Sequence, residues 1–248
     1  MLAAPPPPSA ASSTDVGGAV GDLLAGDPSP LTLVVLAGLV ALVVVGHGGL
    51  WYRARTVVTI AHEAGHALVA IMSGRTLTRI LLHSDTSGVT VSKGRRDGPG
   101  MAATAAAGYA TPPLLGLGAG MMVALDATSA MLGIAVMLLL ATLVLVRNTF
   151  GVVAVVLTGA VFVVVAIYGS TDVQYAFGCF VAWFLILGGL RTVVELQQKR
   201  SRRRAPDSDV DQLERLTGLP ATIWVALFVL GPVIALIVAG RLLAVWTF

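Results

Sequence analysis

Thr56-Val-Val-Thr-Ile-Ala-His62-Glu63-Ala-Gly-His66-Ala-Leu-Val-Ala-Ile-Met-Ser73 is the stretch on which the reading of this chain turns. It is an apolar run long enough to form a helix across a bilayer, with three ionisable side chains set inside it. On a helix, positions four apart share a face, so His62 and His66 can grip one metal ion while Glu63 points at its water. The chain has four histidines and three glutamates, and this pentapeptide uses two of the first and one of the second. Ionisable groups within a bilayer are costly, so their default reading is functional.

Outward from that run, the composition agrees. The 248 residues are 56% hydrophobic and 12% charged, against roughly 25% charged in a soluble domain. The sequence therefore implies an all-α polytopic membrane protein. Cys179 is the lone cysteine, which excludes a disulfide framework and a cysteine metal site. Basic residues gather between apolar runs, most densely in Lys199-Arg200-Ser201-Arg202-Arg203-Arg204. Beside membrane spans this reads as a cytoplasmic loop obeying the positive-inside rule, and no nucleic-acid partner is expected. Arginine well above lysine, with abundant alanine, glycine and valine, suits a bacterial gene of high GC content.

Residues 1–30, with a proline run and small residues, read as a disordered tail and not as a secretory signal. Residues 31–248 form the membrane-embedded domain. Seven apolar runs, at about 31–50, 56–73, 101–124, 129–146, 149–168, 174–196 and 220–240, predict about seven transmembrane helices. Pro112 and Pro113 predict a kink or break in the third. Placing 197–219 in the cytoplasm also puts Arg147, Lys93, Arg95, Arg96, Arg75 and Arg79 there, with the N-terminus inside. Arg53 and Arg55 then fall on the opposite side. Between the second and third runs, about 77–93 reads as strand, turn and strand, a small β-hairpin directly after the HEAGH helix. Its edge would suit an extended peptide held by strand addition.

Catalytic zinc needs three protein ligands and an open position. His62 and His66 supply two, and Glu63 is placed as the general base. Of the remaining candidates, His47 and His83 read as structural, Asp85 and Asp126 as turn residues, Asp172 as part of a connector, and Asp97 as part of a basic loop. The richest carboxylate stretch is Pro206-Asp207-Ser208-Asp209-Val210-Asp211, just before the last run. It can be a helix N-cap with Ser208 and Asp211 as a capping-box pair, or it can supply the third ligand. The residue chemistry leaves both open.

The HEAGHA helix, the hairpin and the Ala-Ala-Gly108-Tyr-Ala-Thr-Pro112 run resemble the site-2 protease group of intramembrane zinc metalloproteases. The closer resemblance is to its compact bacterial branch, in which a Ser-Asp-x-Asp-x-Leu…Thr-x-x-Pro stretch precedes the last span. Here that stretch is Ser208-Asp209-Val-Asp211-Gln-Leu213…Thr217-Gly-Leu-Pro220. The resemblance covers about residues 40–245 and implies that His62, His66 and Asp209 bind Zn2+, with Asp211 the rival. The chain lacks the Asn-x-x-Pro segment and the Asp-Gly pair that widespread members carry in an apolar helix. It has Gly108-Tyr109 and Pro112-Pro113 where they carry a Gly-Pro pair and an Asn.

The expectation is therefore a zinc metalloendopeptidase of the cell membrane, cutting a membrane-spanning or membrane-anchored protein within or next to the bilayer. The competing expectation is a catalytically silent relative that acts as a membrane scaffold or regulator. A metal transporter is the third, and the chain shows none of the internal repeats typical of that class.

Overall fold

The computed structural model describes residues 29–202 and 208–245. Most of the N-terminal tail, and Arg203, Arg204, Pro206 and Asp207 of the basic loop, lie outside the described residues. The chain is mostly helical: α1 (Pro30–Gly46), α2 (Gly48–Met72), β1 (Thr76–Leu82), β2 (Gly88–Lys93), α3 (Pro99–Ala124), α4 (Thr128–Leu145), α5 (Thr149–Tyr168), α6 (Thr171–Ser201), α7 (Asp209–Thr217) and α8 (Ala221–Val245).

A long helix lies at each of the seven expected positions, yet the count of seven spans does not hold. Among the described residues four helices, α4, α5, α6 and α8, are long and apolar enough to cross a membrane. A fifth span follows if α1 and α2 are taken together as one broken element, bent by 103°. The physical reason lies in the residues. α1 has only 17 residues, α2 carries Arg53, Arg55, His62, Glu63 and His66, and α3 is rich in alanine and glycine.

The bend falls at His47, which leaves α1 in extended backbone and caps α2, its Nδ1 accepting from the Leu50 amide at 3.4 Å. α1 runs beside α6, with Gly38 packed on Trp183 and Trp51 packed on Gly188. α2 then stays near that end of the bundle, where Arg55 pairs with Glu195 at 3.2 Å. α1 and α2 are thus not two antiparallel spans. Arg55 sits at the same end as the basic C-terminus of α6, and the start of α1 sits at the other. Arg55, one of the two arginines that a seven-span count sets apart from the other basic residues, therefore lies with them at one end of the bundle.

The outer faces of α4, α5 and α8 are aliphatic and exposed, as at Met137, Val144, Leu157 and Ile237. Such faces suit lipid, where helix association comes from close packing and hydrogen bonds and not from the hydrophobic effect. α3 takes the centre, against α2, α6 and α8. It runs unbroken through Pro112 and Pro113, so the expected kink or break does not divide the helix. Gly65 lets α2 approach α3: a Cβ there would lie 2.9 Å from the Ala107 carbonyl and inside the Thr111 side chain.

The hairpin forms as the alternation predicts, antiparallel, with Leu82 opposite Gly88 and Thr76 opposite Lys93. A register shift falls between Leu77 and Arg79. The far side of β1 is covered, since the Arg147 amide donates to the Ile80 carbonyl at 3.0 Å and Ile80 bridges Val146. The Asn148 side chain clasps both the amide and the carbonyl of Leu82. Ile80 and Leu82 bury against Ile60 and Ala67 of α2.

α7 is held at both ends and along one face. The Ser208–Asp211 capping box starts it, and Gly218 in the left-handed region ends it at φ 74°. Val210 and Leu213, fully buried, pack against Ala105, Val193, Leu196 and Phe228 of α3, α6 and α8. This docking fixes where the first residue of α7, Asp209, must lie.

Candidate metal centre

His62 and His66 sit one turn apart on α2 with their Nε2 atoms 3.1 Å apart. Asp209 reaches over from α7, its Oδ2 lying 3.2 Å from His62 Nε2 and 3.4 Å from His66 Nε2. Glu63 and the two histidines offer ligand atoms within 4.8 Å of one another, and Glu63 and His66 are buried. The structure thus brings together the four residues singled out in the sequence.

Asp211, the rival carboxylate, is committed elsewhere. Its Oδ2 accepts from the Ser208 amide at 3.2 Å and hydroxyl at 2.6 Å, and its Oδ1 meets Arg200 at 2.9 Å. The capping reading of the Asp-x-Asp stretch thus falls to Asp211, and Asp209 is the carboxylate that faces the two histidines. His47 caps α2, and His83 meets the Ser87 hydroxyl at 3.2 Å in the hairpin turn. In that turn the Ser87 hydroxyl and amide hold the Asp85 carboxyl below its ordinary range.

The three atoms facing one another suit a small cation. Zinc binds imidazole nitrogen and carboxylate oxygen at about 2.0–2.2 Å, and tetrahedral angles then put ligand atoms about 3.3 Å apart. The observed separations of 3.1, 3.2 and 3.4 Å fall around that value. Two imidazoles and a carboxylate are also a donor set of catalytic zinc sites.

The surrounding groups fix orientation. His66 Nδ1–H donates to the Thr104 carbonyl at 2.7 Å, which leaves Nε2 facing the cluster. Such a bond to the second ring nitrogen sets the tautomer of a metal-ligating histidine. Gly108 faces the cluster from α3, and a Cβ there would fall 2.6 Å from His62 Nε2 and also on His66 Nε2. The missing side chain is the space in front of the imidazoles. Tyr109 packs edge-on against the His62 ring at 4.7 Å and against Phe228 at 5.4 Å.

Two residues at Glu63 went unread in the sequence. Thr90 of β2 donates its hydroxyl to Glu63 Oε2 at 2.6 Å. Gly88 lies so close that a Cβ would be 2.6 Å from Glu63 Cγ. Gly88 had read as part of a hairpin connector and Thr90 as the polar half of an alternation. Only the pairing of the hairpin with α2 reveals their role.

Residues 35–239 match a family model described as Peptidase M50B-like. No curated protein and no solved structure matches the chain.

Proposed function

This chain belongs to the Peptidase M50B-like family, the site-2 protease family of intramembrane metalloproteases, and on that premise we propose that it is a zinc endopeptidase cutting membrane-anchored proteins within or next to the bilayer. The observation that carries the reading is the convergence of His62, His66 and Asp209, from two distant segments, to separations suited to one zinc ion. His62 Nε2, His66 Nε2 and Asp209 Oδ2 would hold the metal.

Zinc, when bound, supplies a Lewis acid that polarises the scissile carbonyl and makes water acidic enough to attack near neutral pH. Glu63 takes the proton released as the water attacks. Thr90 holds Oε2, leaving Oε1 to carry that proton and then to hand it to the departing amine nitrogen. Gly108 leaves room for the scissile carbonyl beside the imidazoles.

A substrate helix must unwind locally, because its carbonyls are hydrogen-bonded within the helix. With β1 covered by Val146 and Arg147, the edge left for an added strand is that of β2, which carries Thr90 and Gly88 beside Glu63. Main-chain pairing there would present an extended substrate to the base. The basic end of the bundle is the cytoplasmic one by the positive-inside rule, so cleavage would occur near that face of a bacterial cell membrane.

Bound zinc per chain in detergent-purified protein tests the assignment. The native chain should carry about one zinc, lost in both His66→Ala and Asp209→Ala. No zinc in the native chain after reconstitution would sink the enzyme and leave the scaffold reading. Zinc lost in His66→Ala alone would remove Asp209 from the ligand set.

A further inference from the structure

Outside the metal centre, a cleft of about 620 Å³ opens where the start of α2 meets the last turns of α6. Arg55, Arg191, Lys199 and Arg202 line it, together with one carboxylate, Glu195, and the ring of Trp51. Glu195 is held on one oxygen by hydrogen bonds and on the other by charge. Trp51 Nε1 donates to Oε1 at 2.7 Å and Arg191 Nε donates to Oε1 at 3.1 Å. Oε2, which accepts no hydrogen bond among the described residues, ion-pairs with Arg55 at 3.2 Å. Both guanidiniums also lie over the Trp51 ring, Arg55 at 5.9 Å and Arg191 at 5.0 Å. Glu195 and Trp51 thus act as a frame that holds two arginines in fixed positions.

The frame uses few of the available donors. An arginine has five N–H groups, and each of these spends only part of them on Glu195. Arg55 Nε is buried with no hydrogen-bond partner among the described residues. Lys199 and Arg202 face the same cleft, and among the described residues neither pairs with a carboxylate in a salt bridge. Asp85, whose carboxyl feels the Lys199 charge, is turned to Ser87. The opposed helix ends here, the start of α2 and the end of α6, contribute about +0.5 and −0.5 charge and cancel. Among the lining residues four cations face one carboxylate, an excess that the Asp85 charge beside Lys199 offsets only in part.

The position adds a second constraint. The cleft lies at the basic end of the bundle, beside exposed Leu50 and Tyr52, the latter reaching over to the Ser84 carbonyl at 3.2 Å. Aromatic and basic side chains together at a span end mark the headgroup level of a bilayer. Preset arginine forks match phosphate better than lysine point charges do. We infer that this cleft binds an anionic phosphate ester, supplied by a phospholipid headgroup or by a soluble phosphate monoester. In this arrangement Arg55 and Arg191 would clamp the phosphate, and Lys199 and Arg202 would add charge at the rim.

The test uses the full chain in neutral detergent, with adducts counted by native mass spectrometry. The probes are dioctanoyl phosphatidylglycerol, dioctanoyl phosphatidylcholine and glycerol 1-phosphate. Lys199→Gln/Arg202→Gln removes the rim charges and leaves the Glu195 frame intact. Lys93→Gln/Arg95→Gln removes two charges outside the cleft. Phosphatidylglycerol should bind the native chain at least about tenfold more tightly than phosphatidylcholine and lose about tenfold in the first variant only. Glycerol 1-phosphate weaker than phosphatidylglycerol assigns the lipid as source, and equal binding with the same variant dependence assigns a soluble ester. Equal losses in both double variants would mean general surface attraction and overturn the site. No preference for the anionic lipid, without glycerol 1-phosphate binding, would overturn it as well.

Discussion

The Thr90 hydroxyl donates to the Glu63 carboxylate at 2.6 Å, so the β-hairpin and the HEAGH helix meet at the side chain assigned as the general base. Thr90→Val keeps the shape and the strand propensity and removes that donor. Proteolysis of a single-span substrate should slow by about tenfold, the scale of one lost charge-assisted hydrogen bond. Zinc content should stay at the native level, and Thr90→Ser should recover most of the rate. Native kinetics in Thr90→Val would show that Glu63 does not depend on the hairpin.

Glu63→Gln separates catalysis from scaffolding. Glutamine is nearly isosteric and cannot take a proton, so cleavage should fall by about 10²–10⁴-fold with protein level and bound zinc unchanged. Reconstituted cleavage followed on gels reads the rate, and metal analysis reads the zinc. An unchanged cellular phenotype in this variant would favour the scaffold.

Gly108→Ala tests the space in front of the imidazoles. Its Cβ would fall 2.6 Å from His62 Nε2, closer than carbon and nitrogen can rest. Alanine is the better helix former by about 1 kcal/mol, so α3 itself should not suffer. The expected result is at least about tenfold weaker zinc affinity in competition with a chelator, at unchanged helicity. Native affinity would show that the metal sits away from α3.

Asp209→Asn and Asp211→Asn should differ in kind. The first removes a ligand and should abolish stoichiometric zinc. The second weakens a cap and the Arg200 pair at 2.9 Å, a change of about 1 kcal/mol in α7. Zinc affinity in Asp211→Asn should therefore fall only several-fold. Equal losses in the two variants would make Asp211 a ligand too.

Zinc would tie α2 to α7 through Asp209, so its removal should loosen α7. After phenanthroline treatment, amide exchange across 210–217 should rise while that of 105–120 in α3 holds. Added zinc should restore protection and activity together. Unchanged exchange in α7 would show that docking of Val210 and Leu213 suffices without the metal.

Much of this protein can be read locally. The HEAGH spacing, four residues on a helix, makes His62 and His66 neighbours whatever surrounds them, and they lie 3.1 Å apart. Apolar runs placed the long helices, although α2 begins eight residues before its run and α6 ends five after its own, and alternation at Val89-Thr90-Val91 placed the hairpin. The count of spans was less legible: α1 and α2 each read as a crossing where the structure joins them at a 103° bend, and α3, which also read as one, is not among the helices apolar enough to cross. Hydropathy records how apolar a segment is and not the direction in which it runs.

The third member of the site lay beyond local reading. Two aspartates two residues apart look alike in the sequence, one a candidate ligand and the other a candidate cap. Their fates are set by the amphipathic face of α7, where Val210 and Leu213 bury against α3, α6 and α8 and turn Asp209 to the histidines and Asp211 to Arg200. The role of Thr90 and the cleft around Glu195 were likewise decided by packing between segments far apart in the chain. The sequence by itself determined the chemistry of α2, because spacing along one helix is a local property. The tertiary structure decided what faces that helix, because the Asp209 carboxylate, the Thr90 hydroxyl and the open face at Gly108 come from elements that meet only on folding.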